Sequence, residues 1–101
     1  LLLHTVNKSP FEKGSLDTCL RLAKQGSTIL LIEDAVYAAI QGTVIEGKMS
    51  EAIKRYSVCA LRSDLKARGL DEGRLLSGIK VVDYGGFVDL VAEHDAVQSW
   101  F

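Results

Sequence analysis

Residues 28–32, Thr-Ile-Leu-Leu-Ile, are the feature that most restricts how this chain folds. The run carries no charge and does not alternate apolar with polar positions, so it predicts a strand covered on both faces. Similar short apolar runs occur at residues 1–6, 56–61 and 79–82. Helical patterns lie between them. Leu16, Cys19, Leu20 and Ala23 share one helix face, with Ser15 as its expected cap, Asp17 in its first turn and Gly26 as its stop. Glu33-Asp34 opens a second expected helix over residues 35–40, ended by Gly42. The charged stretch 46–55, with Met49, Ala52 and Ile53 as its apolar members, predicts a short helix or an irregular crossover. Residues 64–68 form a helical turn stopped by Gly69. Asp83-Tyr84 leads into a last helix that places Phe87, Leu90, Val91 and His94 on adjoining turns. The tail 96–101 is an edge strand or a docked terminus. Strand and helix alternate throughout, which predicts a single small α/β domain over residues 1–101, with a mainly parallel central sheet flanked by helices.

Composition narrows the functional classes. A chain of 101 residues is long enough for one core and too short for two. With 48% apolar and 25% charged residues it is not a disordered tail. A net charge of −1 gives no field that would draw the chain onto nucleic acid or an anionic membrane. The uncharged apolar run at residues 26–32 is far below the roughly 18–20 residues of a membrane span. No basic segment precedes a long apolar stretch, so no signal peptide is expected, although an opening Leu1 leaves a trimmed leader open. Two cysteines in a sufficient core demand no disulfide, and a reducing cytoplasm is the expected location.

In an open α/β sheet, ligands gather beyond the carboxyl ends of the strands. Here that rim comprises residues 7–11, Glu33-Asp34, residues 62–64 and residues 83–86. Cys19 lies about one turn into the helix after the rim. The helix terminus favours a thiolate there, which makes Cys19 a candidate sulfur nucleophile. Its apolar neighbours favour a small buried hydrophobe instead. Cys59 lies within an apolar strand and is expected to be buried. His4 is expected to be a hydrogen-bonded core residue, and His94 to bond the carbonyls at the end of the last helix. Asp34 and Asp83 are read as helix caps, and Lys8, Lys66 and Arg68 as solvated. The spacing of His4, Cys19, Cys59 and His94 fits no zinc pattern, Gly85-Gly86 is no dinucleotide fingerprint, and the Ser, His and Asp residues are too scattered for a triad.

Four blocks at these positions carry a resemblance: Leu3-His4-Thr5-Val6-Asn7-Lys8-Ser9-Pro10-Phe11, Glu33-Asp34, Asp64-Leu65-Lys66-Ala67-Arg68-Gly69, and Val82-Asp83-Tyr84 followed by Phe87-Val88-Asp89-Leu90. The chain resembles the DsrH family of sulfur-relay proteins, and more distantly the related TusB type, over essentially its whole length. The resemblance implies a heterohexamer with DsrE-like and DsrF-like chains, or with TusD-like and TusC-like chains. It implies relay of sulfur as a cysteine persulfide, without metal or organic cofactor. The acceptor is DsrC-like in cytoplasmic sulfur oxidation, or TusE-like on the way to 2-thiouridine in tRNA. No direct contact with nucleic acid or membrane is implied. The main persulfide cysteine belongs to the DsrE-like or TusD-like partner, and Cys19 matches a cysteine of DsrH-type chains that TusB-type chains generally lack. Cys19 is therefore the candidate secondary persulfide site and argues for the DsrEFH type, with a TusB-type or a non-catalytic structural subunit as the alternatives. Trp100, Phe101, Val36 and Tyr37 supply apolar surface for an interface, expected at the second helix or the tail.

Overall fold

The computed structural model describes residues 2–101. Five strands form one sheet: β1 (Leu2–Val6), β2 (Thr28–Leu31), β3 (Ser57–Leu61), β4 (Lys80–Val82) and β5 (Ala96–Trp100). Their order is β4-β3-β2-β1-β5, and every neighbouring pair is parallel. The first expected strand thus corresponds to β1, with Leu1 outside the described residues. The helices are α1 (Ser15–Leu22), α2 (Glu46–Arg55), α3 (Arg62–Ala67) and α4 (Tyr84–Glu93), with 3-10 helices at Glu33–Ala39 and Glu72–Arg74.

Chirality assigns the layers. From β1 to β4 the chain always steps in one direction across the sheet, and right-handed crossovers place the intervening helices on one face. The return from β4 to β5 runs the other way, so α4 lies on the opposite face. The packing follows this division. Val6, Ile29, Leu31, Val58 and Ala60 pack with Leu16, Cys19 and Leu20 of α1 and with Met49 and Ala52 of α2. Leu3, Leu30 and Cys59 face the other way, toward Phe87 and Leu90 of α4.

Residues 46–55 form a regular α-helix, because Met49, Ala52 and Ile53 at helical spacing meet the core while the charges face solvent. The second expected helix is a 3-10 helix instead. Ala35, Val36, Ala38 and Ala39 are all buried, and three residues per turn align 35 with 38 and 36 with 39 as two rows on the core. Val36 is therefore core and not interface. Ser15 is not the cap of α1: Gly14 holds that position, and its carbonyl accepts from the Thr18 hydroxyl at 3.0 Å. The tail is strand β5, paired with β1 at the edge of the sheet.

Two details lock the α1–α2 face. The buried Tyr56 hydroxyl lies 2.9 Å from the Leu20 carbonyl and 3.0 Å from the Ala23 carbonyl, a donor set against the last turn of α1, where carbonyls lack helical partners. At Gly78, φ is +98°, and an added Cβ would fall 2.6 Å from Ile53 Cγ2. Only glycine lets the loop before β4 close onto α2.

Candidate functional site

The carboxyl ends of the strands bring together the four rim segments expected from the sequence. The chain leaves β2 through Glu33, whose φ of +50° lies in the left-handed region. Its amide donates to Asp64 Oδ2 at 2.7 Å, and Asn7 Nδ2 donates to its carboxylate at 3.4 Å. Arg68 is the centre of this network and is not a solvated side chain. Its Nε donates to Asp34 Oδ1 at 2.9 Å, its Nη1 donates to the Asp64 carbonyl at 3.2 Å, and its side chain is 20% exposed. Asp34 is thus an ion-pair partner and not the cap predicted for it. Arg62 Nε donates to Glu72 Oε2 at 3.1 Å. Arg62 and Arg68 are therefore both committed to carboxylates, and these pairs tie the two 3-10 helices to α3 and the residue that follows it. Asp83 does cap α4, accepting from Gly86 N at 2.7 Å.

The cysteines are enclosed. Cys19 is 0% exposed among the apolar residues between α1 and the sheet. Burial pushes its thiol up to about 12 from an ordinary 9.0. Desolvation outweighs the helix terminus that sequence reasoning invoked, because Cys19 points from the second turn into the core. Burial also raises the Cys59 thiol, with a hydrogen bond from Ser57 and the charge of Lys80 opposing it. Cys59 lies on the α4 face and Cys19 on the other, so the sheet separates them. His4 and His94 are divided in the same way. His4 Nδ1 accepts from Trp100 Nε1 at 3.0 Å. His94 bonds the Leu90 carbonyl at 2.7 Å, as expected, and also Thr28 Oγ1 at 2.9 Å.

The surface that sequence reasoning missed is the α4 face. No residue of α4 is fully buried. Tyr84 is 72% exposed, Val88 52% and Val91 41%, and Val97 and Phe101 of the tail are also open. The signal was present in the sequence: Tyr84, Phe87, Val88, Leu90 and Val91 exceed what one sheet face can cover. Trp100 is half-buried against the core and bonded to His4, leaving Phe101 as the exposed aromatic of the tail.

Fold and site define a small all-parallel α/β domain with enclosed thiols and one apolar helix face open to solvent. Solved structures share this architecture. The ychN protein from E. coli superposes with a TM-score of 0.83 at 20% identity, covering 97% of each chain. A protein of unknown function from Methanobacterium thermoautotrophicum gives 0.75 at 22% identity, covering 97% of this chain and 96% of that one. A family described as DsrH like protein matches residues 8–97. Protein TusB of Pectobacterium parmentieri is 35% identical over 100 residues, and protein TusB of Shigella flexneri 38% over 100. Both alignments span 98% of this chain and the whole of the relative. The chain belongs to the DsrH/TusB family.

Proposed function

We propose that this chain is a TusB-type subunit of a sulfur relay, one that holds and shapes the complex while the persulfide travels on a cysteine of a homologous chain. The observation that carries this reading is the enclosure of both thiols. Persulfide transfer is attack by a thiolate on a sulfane sulfur, and a thiol held neutral up to about 12 does not supply one near neutrality. The TusB names of full-length relatives support the same branch over the sulfur-oxidation role argued from Cys19. The partners are TusC-like and TusD-like chains in a heterohexamer, docked on α4 and the tail, and the acceptor is TusE-like. The pathway then ends in 2-thiouridine of tRNA without this chain touching RNA. The location is the cytoplasm, where two unbridged thiols are stable.

A second reading keeps the DsrEFH type, with DsrE-like and DsrF-like partners and a DsrC-like acceptor. The presence of Cys19 in α1 favours it, with that thiol as a secondary persulfide site. Single-turnover transfer of labelled sulfur separates the two, using complexes assembled with either pair of partners. Cys19→Ser places a hydroxyl in an apolar site at about 1–3 kcal/mol, so the chain is expected to fold and assemble less stably. Transfer by the assembled mutant is expected to match the parent. Complete loss of transfer, with assembly intact and one sulfur atom of added mass mapped to Cys19 in the parent, overturns the structural reading.

A further inference from the structure

We propose that His4 and Trp100 form a proton-sensitive latch that fastens the edge strand β5 to β1, closed while His4 is neutral and opened when it is protonated.

The tautomer follows from the donors. An indole N–H can only donate, and Trp100 Nε1 lies 3.0 Å from His4 Nδ1. His4 Nδ1 therefore keeps its lone pair, and the proton of the neutral ring sits on Nε2. That Nε2 is buried and has no hydrogen-bond partner among the described residues. Protonation would place a second donor on Nδ1, facing the indole N–H, so the bond across the strands would be lost. It would also put a charge in a ring that is 4% exposed.

The neighbourhood offers little to stabilise that charge. β2 and β5 flank β1 in the sheet, and neither carries an ionisable side chain. On α1, Asp17 and Arg21 are exposed, and Cys19 is a buried neutral thiol. Lys24 and Asp95, one charge of each sign, line a cavity of about 350 Å³ with His4 at the amino ends of the strands. Burial holds His4 below the ordinary 6.5. The neutral ring's contribution to stability is thus complete above pH 6.5. It declines as pH falls from there to the folded-state pKa, and the loss is then complete.

The latch matters because β5 has few other fastenings. Beyond its ladder to β1, the Asn7 amide donates to the Trp100 carbonyl at 3.4 Å, Thr5 Oγ1 donates to Ser99 Oγ at 3.2 Å, the indole packs on the core, and the outer edge of β5 faces solvent. Releasing Trp100 loosens Val97 and Phe101, which stand on the proposed docking surface. That consequence rests on the functional reading above, whereas the latch itself does not.

The chain has one tryptophan and two histidines, so the signals are separable. His94 must donate from Nδ1 to the Leu90 carbonyl, which gives it the opposite neutral tautomer to His4. Nitrogen-15 spectra of the full chain above pH 6.5 are expected to show His4 protonated on Nε2. Trp100 emission is expected to change with a one-proton midpoint below 6.5 while far-ultraviolet dichroism stays constant. The change is expected to vanish in His4→Asn, whose amide oxygen replaces the Nδ1 acceptor without titrating, and to persist in His94→Asn. A His4 ring protonated on Nδ1 above pH 6.5 overturns the latch without any variant. An emission change that survives His4→Asn, or one that coincides with global unfolding, also overturns it.

Discussion

The two faces of the sheet are built on different terms. The face under α1 and α2 is closed: Leu16, Cys19, Met49 and the inward residues of β1, β2 and β3 exclude water. The face under α4 is only half closed. Its small buried cluster is Leu3, Leu30 and Cys59, and the helix above it buries no residue completely. Polar contacts at its ends hold α4 in place, with Asp83 at its first turn and His94 reaching Thr28 from its last. One face supplies most of the buried core, and the other leaves the apolar side chains of α4 half exposed. An apolar helix kept in register by its ends presents a fixed surface without needing to be buried first.

Substitutions break or sharpen this contrast. The largest effect is expected from Leu16→Ala, which opens a cavity on the closed face. A loss of about 2–5 kcal/mol in denaturant unfolding is expected. A loss under 1 kcal/mol would mean that the closed face is loosely packed. Asp83→Ala removes the cap of α4 and is expected to cost about 1 kcal/mol, read from the same unfolding curves. Amide exchange should then rise first in α4 while the core strands stay protected. The smallest effect on the isolated chain is expected from Val88→Ser, within about 0.5 kcal/mol of the parent. Its effect should appear on association instead, as weaker capture by TusC-like and TusD-like chains in size exclusion. Unchanged capture would move the docking surface away from α4.

Much of the fold, though not the open α4 face, was legible in the sequence, for local reasons. Residues 28–32 announce a strand covered on both sides, and the alternation of strand and helix signals leads to a parallel sheet with its rim in the right place. The cap at Asp83 and the His94 contact to Leu90 are also local, three or four residues apart. What the sequence hid depends on distant partners. Asp34 looked like a cap because its acceptor role toward Arg68 crosses 34 residues. The Glu33–Ala39 segment carries apolar residues that fit either helix type, and only the sheet beneath it selects 3-10 geometry. Cys19 is the instructive case. Spacing placed it near a helix terminus and on an apolar face, two cues with opposite chemical meaning. Packing decides between them for the isolated chain, because removing the thiol from water raises the cost of its anion more than the helix end lowers it.

The position of β5 beside β1 has a consequence in time. β5 follows every other described element in sequence, yet it flanks the first strand, and the indole of residue 100 meets the imidazole of residue 4. A ribosome releasing this chain exposes β1, β2, β3 and β4 early, and they can begin to associate while synthesis continues. The flank of β1 has no strand until residues 96–100 emerge, so the nascent sheet carries an open parallel edge until then. Long-range closure of this kind slows folding, and an uncovered strand edge invites pairing with other chains. Truncation before Ala96 would make that temporary state permanent, with β1 as an unprotected edge and its buried histidine exposed to water.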